Sequence, residues 1–190
     1  MEYSYLLKFE GIYAGQTHGI QEKFKKILNE FDRIIEIGTH AGGLTLFLHK
    51  NKQSDCDLIS YDIDSTLNQV SKHINIDFRI GDCFSEKTSN EIKNLILDKN
   101  KRVLLLCDGG DKNREFNTFS EFLKYNDVIM CHDYSDTIEE FNQIKETIGW
   151  VSAPESNLDA ISASVNKYGL SKYHYNDFKS VLWGAFIKVK

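Results

Sequence analysis

The stretch "IIEIGTHAGG", residues 34–43, decides the fold. Branched apolar residues and one acid, Glu36, run into Gly38, and two further glycines, Gly42 and Gly43, lead into "GLTLFLHK". The first run is too short for a helix and is closed by glycine, so it reads as a strand. The run after the glycines reads as a helix. A strand that ends in a glycine-rich turn and reopens as a helix is a place to hold a ligand. Dinucleotide sites use G-x-G-x-x-G, whose middle glycine lets a pyrophosphate approach the backbone. His40 stands at that middle position, which weakens the dinucleotide reading, and no G-K-[ST] follows, which excludes a P-loop. A carboxylate at Glu36 would repel a phosphate and suits a cation, such as the amino group of an amino-acid-like ligand.

Outward from this turn, short apolar runs alternate with helical patterns. Upstream, Ile20, Phe24, Ile27, Leu28 and Phe31 fall on one helical face within residues 19–31. Downstream, "DLISYDID" reads as a second strand, "LNQVSKHI" as a short helix with Ser65 as its N-cap, "IDFRIGDC" as a third strand and "NEIKNLILDKN" as a helix. "RVLLLCDGG" is almost wholly apolar up to Asp108, as suits a parallel strand covered on both faces. A helix carrying Phe116, Phe119, Phe122 and Leu123 follows, then a fifth strand, "DVIMCHDY". Ile138, Phe141, Ile144 and Ile148 next lie at helical spacing, and a helix is expected near 157–167. "LSKYHY" and "SVLWGAFIKVK", joined by "NDFK", read as a closing hairpin. Five strand–helix units and a hairpin make a three-layer α/β domain with a mainly parallel sheet. In such sheets ligands sit at the carboxyl ends of the strands. Those ends read Gly38, Asp62, Asp82, Asp108 and Asp133. A helix N-cap explains any one of these acids, but four in corresponding places point to a site.

The bulk properties set the boundaries. The chain of 190 residues, 41% hydrophobic and 27% charged, describes one ordinary globular domain. Its net charge of −5 disfavours strong nucleic-acid binding. Four cysteines without a CxxC pair read as buried thiols in a reducing, cytoplasmic setting. The opening "MEYSYLLKFEG" has acids and no apolar core, so it is not a signal peptide. No run reaches the ~18 apolar residues of a membrane span. Cys83, Cys107 and Cys131 with His132 would allow a thiolate zinc site, but each cysteine lies within a strand run and packs there as a small apolar side chain.

"EIGTHAGG" followed in order by "YDID", "IGDC", "LLLCDGG" and "VIMCHDY" resembles the Rossmann-like (class I) S-adenosylmethionine-dependent methyltransferases over roughly residues 30–135. "CDGGDKNREF" with "CHDY" is most similar to the small O-methyltransferases of the catechol, macrocin and cephalosporin hydroxylase-like types. "GIYAGQTHGIQEKFKKIL" resembles the opening segment of the last of these. The resemblance implies a seven-stranded, mainly parallel Rossmann-like sheet whose C-terminal hairpin strand, 181–190, runs antiparallel beside the fifth strand. It also divides one domain, 1–190, into an N-terminal segment and helix (1–31), a cofactor-binding core (32–135) and C-terminal helices and hairpin (136–190). For the cofactor it implies Glu36 and Gly38 at the methionine amino group, with Thr39, His40, Gly42 and Gly43 completing the turn. Asp62 would accept from the ribose hydroxyls, Asp82 and the Cys83 backbone N–H would meet the adenine, and Ile63 and Asp108 would be further cofactor-binding residues. Leu44 replaces a serine that binds the carboxylate in some relatives, so Thr45 or backbone amides would substitute.

The resemblance extends to the reacting side. A divalent cation is held in the catechol and macrocin types by acids after the fourth and fifth strands. Asp108 and Asp133 match those positions, with His132 where relatives have a third oxygen ligand and Tyr134 where the catechol type has an amide. Mg²⁺ is therefore a candidate second cofactor. Two acids that close would repel each other unless a metal or a basic substrate group came between them. The general base has three candidates. Relatives carry Lys or His three residues after the first aspartate, whereas this chain has Asp111 there and Lys112 next to it. Lys112 with a lowered pKa, His132 or His18 would take the proton. The reading is a cytoplasmic methyltransferase of a small-molecule hydroxyl, with no nucleic acid or membrane partner and with a homodimer allowed. Substrate contacts are expected before residue 20, in loop 109–115 and in 151–160. Its rivals are a cofactor-binding protein without catalysis, a metal-free methyltransferase of a nitrogen or carboxylate, and an NAD-dependent oxidoreductase.

Overall fold

A computed structural model describes residues 7–149 and 153–190. Residues 1–6 of the opening segment, and 151–152 of the expected substrate stretch, lie outside the described residues. In chain order the strands are β1 (Lys8–Phe9), β2 (Ile12–Tyr13), β3 (Arg33–Ile37), β4 (Asp57–Asp62), β5 (Asp77–Ile80), β6 (Val103–Cys107), β7 (Val128–His132), β8 (Tyr134–Ser135), β9 (Ser156–Asn157), β10 (Leu170–Lys172) and β11 (Trp183–Lys188). The α-helices are α1 (Ile20–Ile27), α2 (Gly43–Asn51), α3 (Glu86–Ile96), α4 (Lys112–Phe119), α5 (Ile138–Ile148), α6 (Leu158–Lys167) and α7 (Tyr175–Lys179).

The main sheet has seven strands in the order β10-β11-β7-β6-β3-β4-β5. The five central strands from β7 to β5 are parallel to one another. As the hairpin spacing predicts, β11 runs antiparallel between β7 and β10, with Trp183 opposite His132. The alternation of side chains along each strand explains the layers. Ile34, Leu104, Leu106 and Met130 face a cluster with α1, α2 and α7. Ile35, Leu105, Cys107 and Ile129 face a second cluster with α3, α4 and α6. Strands buried on both faces are why "RVLLLC" carries no polar alternation.

Three segments differ from the sequence reading. "LNQVSKHI" forms only a 3₁₀ turn, Val70–Lys72. Gln69 stands at its N-cap without a side-chain bond, the Asn68 side chain accepts from Ser71 N at 3.1 Å, and the Ser65 carbonyl accepts from Asn68 N. The helix read from "NEIKNLILDKN" begins earlier, at Glu86, because Ser85 Oγ accepts from Thr88 N at 3.4 Å. "NDFK" is not a tight turn but part of α7, which begins after His174 at φ 43° and plants Phe178 against Phe24, 5.5 Å away. Two small ladders, β1–β2 and β8–β9, add to the predicted elements. Of the face predicted for α5, Phe141 is fully buried while Ile138 is exposed.

Candidate functional site: an open cavity beside a buried charge cluster

The turn after β3 is shaped by packing. Gly38 has φ 95°, and a Cβ there would stand 2.2 Å from the Asp108 carbonyl oxygen, so only glycine brings the ends of β3 and β6 together. Gly42 and Gly43 are required by packing: a Cβ on Gly42 would meet Val70 at 2.2 Å, and one on Gly43 the Tyr13 backbone at 2.6 Å. As expected, α2 starts there. Glu36 also differs from expectation. It lies fully buried beneath the turn, with Oε2 accepting from Thr45 Oγ1 and Ser60 Oγ, each at 2.6 Å, and Oε1 without a hydrogen-bond partner. Burial pushes its pKa up to about 8 against the lowering effect of those two hydroxyls. The Thr45 hydroxyl hydrogen is thereby committed to Glu36. Thr39 is likewise turned inward, 2.5 Å from Ser60 Oγ. His40 is exposed at φ 49°, with its ring edge-on to Tyr13.

A cavity of about 310 Å³ opens at the carboxyl ends of β3, β4 and β5. Gly38, Asp62, Ile63, Asp82 and Cys83, all expected at the cofactor, are among its lining residues. Glu36, Thr39, His40, Gly42, Gly43 and Asp108 are not among its lining residues. Asp62 is fixed at the rim: Oδ2 accepts from His40 N at 2.7 Å and Oδ1 from Asp64 N at 3.1 Å. Asp82 Oδ1 accepts from Phe84 N at 2.8 Å, and Phe84 with Ile63 gives the cavity apolar walls. Phe84 was not singled out from the sequence, and Gly110 and Glu115 were expected only within the substrate loop 109–115. Glu115 is buried and its carboxylate receives Gly109 N at 3.2 Å and Asp111 N at 3.4 Å, so it braces the loop after β6. Burial raises its pKa to about 7, opposed by those amides. Asp111, expected to act in catalysis, caps α4 by accepting from Arg114 N at 3.0 Å.

The ends of β6 and β7 form the second part of the site. His132 is buried, stacked on Trp183 with ring centroids 4.9 Å apart, and its Nδ1 lies 2.9 Å from Asp108 Oδ1. Asp133, at φ 51°, is buried beside it. Gln16 was not singled out from the sequence, yet it joins two of these residues: Nε2 donates to Asp108 Oδ2 at 2.7 Å, and Oε1 accepts from Trp183 Nε1 at 2.8 Å. Lys112 is buried too. Its Nζ donates to the Gly109 carbonyl at 3.2 Å and to Glu155, and lies 3.8 Å from Asp133 and 4.0 Å from Asp108. Burial lowers its pKa, but Asp108, Glu155 and Asp133 together hold it above the ordinary lysine value. The expected lowering is therefore corrected: this ammonium keeps its proton. His132 follows the same balance, lowered by burial and raised overall by Asp108 and Asp133. His18 is exposed in the turn before α1.

These donors do not suit a divalent metal. Both Asp108 oxygens face N–H donors, His132 turns toward Asp108 the nitrogen that donates, and Lys112 stands beside both carboxylates. Among the described residues no group of three His, Cys, Asp or Glu side chains could hold a metal ion. The four cysteines are free and buried; Cys83 lies in the turn after β5 rather than inside the strand. Among the described residues no helix is long and apolar enough to cross a membrane.

No family model matches the chain, and no curated protein matches it. Solved structures do. The apo structure of CmcI aligns with a TM-score of 0.68 at 17% identity, over 97% of this chain and 76% of CmcI. A structure of CmcI with magnesium and S-adenosylmethionine aligns at 0.65 and 18%, over 97% and 77%. Human N-acetylserotonin methyltransferase in complex with S-adenosylmethionine aligns at 0.53 and 14%, over 90% of this chain and 52% of the human one. The chain shares the Rossmann-like α/β fold of these structures, with its cavity and its buried charge cluster at the carboxyl ends of the strands.

Proposed function

We propose that this protein is an S-adenosylmethionine-dependent methyltransferase acting on an oxygen of a small-molecule acceptor. The observation that carries the reading is the placement of a half-open cavity with two fixed carboxylates directly beside a buried cluster of acids, histidine and lysine. The cavity residues fit the cofactor. Asp62, with each oxygen anchored by one amide, keeps lone pairs for two ribose hydroxyls. Asp82 accepts from an adenine amino group, and Ile63 and Phe84 cover the faces of the base. Glu36 acts through the turn, holding Thr45 and Ser60 beneath it.

When bound, S-adenosylmethionine supplies an electrophilic methyl group on a sulfonium. The chain's own task is then to orient the acceptor and stabilise its oxyanion in a water-poor site. Lys112 holds its proton at Nζ and presents a positive charge. His132, oriented by Asp108, is the neighbouring acid–base group. A protein that only bound the cofactor would have no use for this cluster, because burying charges is costly unless they are paired. The same observation speaks against the non-catalytic reading.

A magnesium-assisted reaction at Asp108, His132 and Asp133 is the second reading; what favours it is the magnesium in one CmcI structure. The single-domain division at residues 31 and 135, a small-molecule rather than nucleic-acid partner, a homodimer and a cytoplasmic location belong to the same proposal. Calorimetric titration tests it. S-adenosylhomocysteine should bind and NAD should not. Saturable NAD binding without S-adenosylhomocysteine binding would sink the assignment.

A further inference from the structure

Between the ends of β6 and β7, two carboxylate oxygens and two nitrogens alternate. His132 Nδ1 lies 2.9 Å from Asp108 Oδ1 and 3.9 Å from Asp133 Oδ2. Lys112 Nζ lies 4.0 Å and 3.8 Å from the same two oxygens. The other Asp108 oxygen is taken by Gln16. A divalent ion bridging the two acids would need their lone pairs at about 2.0–2.6 Å. Here both Asp108 oxygens already meet N–H donors, and a positive charge within 4.0 Å of each acid already relieves the repulsion between them.

We propose that the Lys112 ammonium is the resident cation of this site, in place of a divalent metal. It ties Asp108 to Asp133 and presents its outer side to the acceptor. Glu155 marks that outer side. Its carboxylate bonds Lys112 Nζ, yet its side chain is 47% exposed against 7% for Lys112, so it is the one partner an incoming anionic oxygen can replace without opening the core. The acceptor class that follows is a molecule presenting an acidic oxygen, such as a phenol or a carboxylic acid. That last step rests on the methyltransferase reading; the identity of the cation does not.

The test uses the full chain stripped of metal with a chelator, and Mn²⁺ as the probe, followed by its paramagnetic resonance signal. Wild type should leave millimolar Mn²⁺ free. Lys112→Ala removes the resident charge and leaves two close acids, so it should bind Mn²⁺ at least about tenfold more tightly than wild type. Lys112→Arg keeps the charge and should gain nothing. Tight Mn²⁺ binding by wild type that Asp108→Asn abolishes would overturn the proposal, and this arm stands even if Lys112→Ala does not fold. A folded Lys112→Ala that gains no Mn²⁺ binding would overturn it as well. S-adenosylhomocysteine titrations run alongside separate the two ideas. Their failure, with the Mn²⁺ results as expected, would remove the methyltransferase reading and leave the cation assigned.

Discussion

The ends of β4 and β5 and the ends of β6 and β7 belong to one sheet, yet they treat their acids in opposite ways. Asp62 and Asp82 stand at the rim of a cavity, each held only by backbone amides of neighbouring turns. Asp108 and Asp133 are enclosed by side chains drawn from distant parts of the chain: Gln16, Lys112 and His132. An acid that must meet a variable or incoming group keeps lone pairs and water. One that must set charge for a reaction is fixed and dry, and fixing it requires partners, because an unpaired buried charge is far costlier than a paired one. The first region binds with little effect on the fold; the second is part of the fold.

The sharpest way to break this contrast is to attack the enclosed half. Trp183→Ala removes a fully buried indole and the donor to Gln16, and should cost about 3–5 kcal/mol in urea unfolding. Asp108→Ala leaves Lys112 and His132 with one acid fewer and should cost about 3–5 kcal/mol by the same measurement. Beneath the turn, Glu36 offers a test by pH. Its unfolded form loses the proton near 4.5 and its folded form near 8, so folding takes up a proton between these values and stability falls as pH rises through them. Glu36→Gln should flatten that slope and be the more stable protein at pH 8, by something on the order of 2 kcal/mol; equal slopes would show that Glu36 is ionised in place. Gln16→Ala should cost about 1–2 kcal/mol, since it leaves one Asp108 oxygen and the Trp183 N–H unsatisfied. The smallest effect on folding, below about 1 kcal/mol, belongs to Asp62→Ala, which instead should weaken S-adenosylhomocysteine by about 1–3 kcal/mol in calorimetry. If Asp62→Ala destabilised the fold as much as Asp108→Ala does, the division between the two halves would fail.

The open half was legible because its signals are local. Each rim acid comes at the end of a short apolar run, and the run itself announces the strand, so Asp62, Asp82 and the turn at Gly38 could be placed from spacing alone. The enclosed half depends on pairs far apart in the chain. Gln16 lies 92 residues from Asp108 and 167 from Trp183, and Lys112 lies 43 from Glu155. No periodicity links such pairs, and "AGQTHG" reads as a glycine-flanked loop, the last place to expect a buried amide. Lys112 was recognised but given the wrong electrostatics, because its three acidic neighbours were not visible together. The glycine pair at 42–43 shows the converse limit. A glycine that avoids Val70 or Tyr13 looks the same in sequence as one that makes room for a ligand. "NDFK" misled for a similar reason: turn-forming residues also begin helices, and only the burial of Phe178 decided between them.

The insertion of β11 between β7 and β10 has a consequence in time. A ribosome delivers the chain from its N-terminus, so the strands flanking the cavity, β3 to β6, are all available before residue 110 has emerged. Trp183, on which His132 stacks and to which Gln16 bonds, arrives more than seventy residues later, roughly 4–15 s at ordinary rates of synthesis. Until it arrives, the acids, the imidazole and the lysine of the second half lack the indole that packs on His132 and bonds Gln16. The long-range pairing of β11 with β7 is the slow kind of contact, since a loop of some fifty residues must close to make it. The nascent protein therefore makes the strands of its binding surface first and closes its reaction chamber last.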